Sequence, residues 1–142
     1  MAMDDKALLG QEWQTLQDNH EGYEKGALLI KLICIGLCLA GIAAQVAWPW
    51  LVVVVLLCWM QEGIFKTYQA RLAERLLRVE SLIAQAQSSH AAMQLHSEWI
   101  ASRPGGLGLV TAYAASACRP TVAFPYVPML LVGGLAKLLC GL

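Results

Sequence analysis

Two apolar runs dominate the first half of the chain, joined by a Trp-Pro-Trp corner, Trp48-Pro49-Trp50. The first, Ala27 to Val46, is about 20 residues long, the length that crosses ~30 Å of hydrocarbon. Its one charge, Lys31, lies near the start, where a long basic side chain can snorkel to the headgroups. Gly36, Ala40 and Gly41 add a small-residue face of the kind that lets helix backbones approach. The second run, Ala47 to Met60, is only about 14 residues before Gln61-Glu62, but Gly63-Ile64-Phe65 carries the apolar character onward. Pro49 falls in the first turn, where proline is tolerated, and Trp48 and Trp50 are the expected interface anchors.

Beyond this predicted hairpin the period changes to that of an amphipathic helix. Phe65, Tyr68, Leu72, Leu76, Val79 and Ile83 recur at steps of three or four, and no Gly or Pro interrupts Ile64 to Gln87. Lys66, Arg71, Glu74, Arg75, Arg78 and Glu80 are assigned to the opposite side, with Glu74 and Arg78 in the favourable i, i+4 order. Near-heptad steps and mixed charge make the apolar stripe a candidate surface for self-association or for a partner helix, with a basic amphipathic helix lying on anionic lipid as the alternative. On the N-terminal side Leu9, Trp13 and Leu16 share a face. They predict a short helix, either near the membrane surface or packed on another cytosolic element. Arg103-Pro104-Gly105-Gly106-Leu107-Gly108 reads as a hinge. Leu109 to Cys118 is too short to span. Thr121 to Leu142 is long enough for a third membrane segment, kinked around Phe124 to Pro128, that either spans or re-enters.

Composition and charge refine this picture. Of 142 residues 58% are apolar and 14% charged, against roughly half and a quarter in soluble domains. Net charge is zero and no basic stripe invites nucleic acid. The corner has no Lys or Arg, whereas Lys66, Arg71, Arg75 and Arg78 follow the second run. The positive-inside rule therefore puts both hairpin ends, and the N-terminus, in the cytoplasm. The acidic opening does not resemble a cleavable signal. Folding about the corner brings Lys31 and Glu62 to similar depth, about 16 and 14 residues from the bend, a candidate intramembrane ion pair. Two independently snorkelling residues are the alternative.

Candidate chemistry is sparse. Cys34, Cys38, Cys58, Cys118 and Cys140 form neither a CxxC nor a Cys/His cluster and read as buried fillers. His90 and His96 do not share a helix face. The glycines at 105–108 lack the Lys-Ser/Thr of a phosphate loop, and no serine sits in a nucleophile elbow. No catalytic, cofactor or metal site is expected.

The expected fold is thus an all-α membrane protein. Its parts are an N-terminal amphipathic cytosolic segment (1–26), a transmembrane hairpin (27–63), a cytosolic helical region (64–103) and a C-terminal membrane-embedded segment (104–142). The Tyr23–Lys31 entry and the Glu62-Gly63-Ile64-Phe65-Lys66 exit resemble, in layout, the small bacterial two-transmembrane SLATT-like proteins. That resemblance implies a bacterial inner (plasma) membrane location, oligomerisation and a pore role. The residues themselves favour a non-enzymatic scaffold, regulatory or accessory subunit, self-associating or bound to a membrane protein partner. An oligomeric pore-forming or membrane-perturbing effector is the alternative.

Overall fold

The computed structural model describes residues 2–85, 92–102 and 105–140, with the backbone alone at 2–5, 102 and 140. Among them are six helices and no strand: α1 (Ala2–Ala43), α2 (Trp48–Ala84), α3 (Leu95–Ser102), α4 (Gly106–Ala117), α5 (Pro120–Ala123) and α6 (Tyr126–Cys140). Helices α1 and α2 are long and apolar enough to cross a membrane.

The expected boundary at residue 26 is not a break. Helix α1 is a single rod of 42 residues, ~63 Å at 1.5 Å per residue. Proline is absent from it, and Gly26 lies under the Phe65 ring, where an added Cβ would meet Cε2 at 3.2 Å. Of the two readings of the N-terminal stripe, packing on another helix is the one observed. Leu9 and Leu16 are buried against Leu76 and Val79 of α2, with Trp13, Leu72, Leu82 and Ile83 around them. Helix α2 likewise continues 37 residues from Trp48.

The two rods run in opposite directions along their whole length. Gly41 lies under Leu51, Cys34 and Cys38 share a core with Val55, and Lys31 meets Glu62. Farther out, Tyr23 touches Phe65 edge-on at 5.6 Å and stacks on Tyr68 at 6.2 Å. The expected small-residue face is used only at Gly41; a Cβ on Gly36 would meet nothing within 4 Å.

The reversal rests on a left-handed residue. Gln45 has φ 54°; its N–H bonds to Ile42 O at 3.0 Å, and Val46 N–H bonds to Gly41 O at 2.8 Å. This is the doubly bonded helix ending in which glycine is usual. A side chain there costs roughly 1 kcal/mol of backbone strain. Gln45→Gly should raise stability by about that amount in a denaturant titration in micelles.

The C-terminal third differs from the expected single kinked span. The glycine stretch does not hinge at 106–108: α4 begins at Gly106, and residues 103–104 lie outside the described ones. Helix α5 is one turn, and a cis Phe124–Pro125 bond separates it from the 15-residue α6. Helix α4 lies along the outer part of α2, ending with Ala117 on Gly63. Helix α6 lies along the corner half, starting at Tyr126 beside Glu62 and passing Gly133 under the Trp48 indole. The joint expected at 85–89 falls partly outside the described residues; α2 ends at Ala84 and Gln85 caps it.

Candidate functional site

A polar cluster is walled in where α1, α2, α5 and α6 meet. Glu62 is fully buried. Lys31 Nζ lies 3.1 Å from Glu62 Oε1 and donates a hydrogen bond to the Thr121 carbonyl at 2.6 Å. The Tyr126 hydroxyl donates to Glu62 Oε2 at 2.8 Å. Both carboxylate oxygens therefore have a partner: one sits against an ammonium as a charge contact, and the other accepts an aligned hydrogen bond. Isolated, an ionised carboxylate at such a site is very costly; paired and hydrogen-bonded, it is tolerated.

Helix periodicity explains how α2 presents this seam. Trp59, Glu62, Gly63 and Thr67 fall at steps of three, one and four, on one face. The Trp59 indole N–H donates to the Ala117 carbonyl at 2.9 Å, and its ring stacks on Tyr126 at 6.2 Å. The Thr67 hydroxyl donates to the Gly63 carbonyl at 3.0 Å and lies 2.9 Å from Ser116 Oγ. Gly63 has no room for a side chain, since a Cβ would come 3.1 Å from that of Ala117. Trp59, Glu62 and Thr67 of α2 thus each meet a complementary group in the C-terminal third.

A second charged network holds the far end. Arg75, 3% exposed, donates from Nε to Glu12 Oε1 at 2.9 Å and from Nη2 to Oε2 at 3.1 Å. Its Nη1 lies 2.8 Å from Glu98 on α3, and Arg78 reaches the same carboxylate at 3.4 Å. Met93 N–H donates to Glu12 Oε2 at 2.7 Å, bringing in the chain just ahead of α3. Burial by itself would lower the Arg75 pKa; the bonds and charges of Glu12 and Glu98 outweigh it and hold the pKa above its usual value. A raised basic pKa stabilises below the unfolded value and is lost only as pH rises through the folded one. That window lies far on the alkaline side, so Arg75 adds no pH dependence near neutrality.

Several expected positions need correction here. Arg75 was assigned to the polar side of α2; it is buried on the packed side. Arg78 turns to Glu98 rather than to Glu74. Arg71 lies flat against Trp99, its guanidinium carbon 3.2 Å from the ring centroid. The stripe Phe65, Tyr68, Leu72, Leu76, Val79 and Ile83 meets α1 of its own chain instead of standing free, although Tyr68 keeps 38% exposure. Trp50 is 68% exposed, but the Trp48 ring is partly covered by Gly133.

Sequence reasoning missed Tyr126, Thr121, Glu12 and Glu98. A signal existed for Glu12: it sits at i+3 from Leu9 and four before Leu16, a carboxylate on an apolar face. Arg75, between Leu72 and Leu76, carried the same signal. Among the described residues no group of three or more His, Cys, Asp or Glu converges as a metal site would require. Comparison with protein-family models, with curated proteins and with solved structures found no match.

Proposed function

We propose that the chain is a small integral membrane protein of non-enzymatic, scaffolding or accessory character. In this reading α1 and α2 form a transmembrane hairpin and α6 makes a third pass. The observation that carries it is the outward face of the two long helices. Only 17% and 22% of their most apolar windows is buried, whereas the core helix of a soluble protein would be mostly covered. Leu28, Leu32, Leu39, Val53, Leu57 and Met60 all point outward and are 44–64% exposed. A soluble protein of this size rarely leaves so large an apolar surface open.

Two aromatic levels support the embedding. Trp48 and Trp50 mark one, and Tyr23 with Tyr68 the other. From Trp48 to Tyr68 the helix rises ~30 Å, the thickness of a bilayer core. Measured this way α2 spans fully, and the short apolar run ending at Met60 is not its membrane limit. Glu62 then lies ~9 Å inside the Tyr68 level, a depth at which charges pair. Helix α6 runs from that depth past Trp48, so the C-terminus emerges on the corner side. Lys66, Arg71, Arg75 and Arg78 keep the N-terminus cytoplasmic, and the bacterial inner membrane is the location that the SLATT-like layout implies.

The scaffold reading is preferred to the pore because the Lys31–Glu62 pair turns inward. Lys31 and Glu62 satisfy each other inside one chain, and the outward positions available to line a channel are mostly apolar, Gln61 being an exposed polar exception. The stripe on α2 is also occupied in cis, which leaves α6 and the outer faces of α1 and α2 for a second copy or a membrane partner. Mass measurement in detergent is expected to give a monomer or dimer with no ion conductance in planar bilayers. A ring of several copies that conducts would replace this reading with the effector one. Resistance to carbonate extraction tests the embedding itself.

A further inference from the structure

Helices α1 and α6 both lean on α2 and meet each other where Tyr126 packs with Cys34 and Cys38; toward the corner a furrow lies between them. Its α1 wall is the ladder Leu28, Lys31, Ile35, Cys38 and Ile42, at steps of three and four along one face. Toward the corner it is an apolar cavity of about 460 Å³, whose far wall includes Pro125, Met129, Val132 and Ala136. Beyond Tyr126 and the Lys31–Thr121 bond, and sharing no residue with that cavity, lie two polar pockets of about 330 and 210 Å³ that have Glu24, Lys66 and Thr121 in common. The surface between α1 and its neighbours is therefore apolar toward the corner and charged at the other end, with the Lys31–Thr121 bond between the two parts.

The charge at that end is positive and partly unspent. Lys31 is neutralised by Glu62 at 3.1 Å, and Lys25 is paired with Glu21 at 3.7 Å. Lys66 has only a neutral partner, donating to Gln69 Oε1 at 2.7 Å. Arg119, which lines the smaller pocket with Lys66, makes no side-chain hydrogen bond or ion pair among the described residues. The one acid at the rim without a basic partner is Glu24, and it is exposed. Two cations and one exposed acid thus line one pocket, a net positive charge near the level of Tyr68, where lipid headgroups would lie.

We propose that this surface binds one anionic phospholipid, its phosphate between Lys66 and Arg119 and an acyl chain laid along α6 toward Trp48. The proposal rests on the membrane reading above. Basic pockets between helices on the cytoplasmic side are suited to anionic headgroups, and that leaflet is where such lipids reside. An apolar trough beside the headgroup selects a lipid over a soluble anion, because only a lipid fills both parts.

The test is native mass spectrometry and thermal unfolding of the full chain in detergent, titrated separately with phosphatidylglycerol, phosphatidylcholine and inorganic phosphate. One phosphatidylglycerol should bind per chain, raise the unfolding temperature and be preferred to phosphatidylcholine, while phosphate alone should do nothing. Lys66→Gln with Arg119→Gln should weaken phosphatidylglycerol about 30-fold and leave phosphatidylcholine unchanged. The charge-conserving Lys66→Arg with Arg119→Lys should retain the preference, and Ala136→Phe, which fills the trough, should weaken both lipids. Equal binding of the two lipids, an undiminished preference in the Gln pair, or the same stabilisation by phosphate would each overturn the proposal. If the chain resists carbonate extraction but shows no preference, only the lipid site fails; if it washes off membranes, the membrane reading fails first.

Discussion

Lys31→Met should destabilise the protein by roughly 3–5 kcal/mol, the range for leaving one member of a buried ion pair without its partner. Glu62 is completely covered, so its charge has no route to water once the ammonium is gone. The loss also removes the bond to the Thr121 carbonyl, which ties α1 to α5. Glu62→Gln should cost less, about 1–2 kcal/mol. The amide still accepts from Tyr126, and Lys31, with its side chain 20% exposed, keeps Thr121 and can shift outward. With both substitutions the buried charge disappears, so the double variant should be more stable than Lys31→Met alone. Unfolding titrations in micelles, followed by far-UV ellipticity, measure all three. Equal costs for Lys31→Met and Glu62→Gln would mean that the lysine acts as an independent snorkelling residue.

Arg75→Met should have an effect of similar size at the other end of the molecule, again roughly 3–5 kcal/mol. The guanidinium stands between Glu12, 5% exposed, and Glu98, and removing it leaves the buried Glu12 carboxylate without a cation while Glu98 keeps only Arg78. Because Glu98 belongs to α3, the backbone amides of Leu95–Ser102 should lose hydrogen-exchange protection before those of α1 and α2 do. Adding Glu12→Gln removes the stranded charge and should recover part of the loss. Unchanged exchange in α3 would show that Leu95, packed against the lower core, holds it without the charge network.

Much of this fold is legible along the chain because helix formation and membrane affinity are local properties. Twenty apolar residues in succession, a proline in a first turn and a tryptophan on each side of it need no tertiary information to be read. The similar depth of Lys31 and Glu62 also followed from counting residues outward from one corner, since an antiparallel pair of straight helices has a single register. The 3.1 Å separation is what that register produces. Reading α2 as one continuous helix rested on the same local logic.

What counting could not supply is the choice of partner faces. Arg75 and Arg71 occupy neighbouring parts of α2, yet one is buried between carboxylates and the other lies on Trp99. Which happens depends on where α1 and α3 land, and those contacts join residues as far as 63 apart in the chain. The amphipathic stripe posed the same problem, because an apolar face announces that it will be covered but not by what. Here the cover is the chain's own first helix, which left no free stripe for a partner.

By itself, then, the sequence determined the two long apolar helices, the corner between them and the matching distance of Lys31 and Glu62 from that corner, because rise per residue and hydrophobicity are local. The tertiary structure alone decided that Tyr126 and Thr121 complete the Glu62 site, that Glu12 meets Arg75, and that Lys66 and Arg119 line one pocket. A hydrogen bond or a cleft exists only once distant segments are placed, and no pattern within one helix encodes where its neighbour will lie.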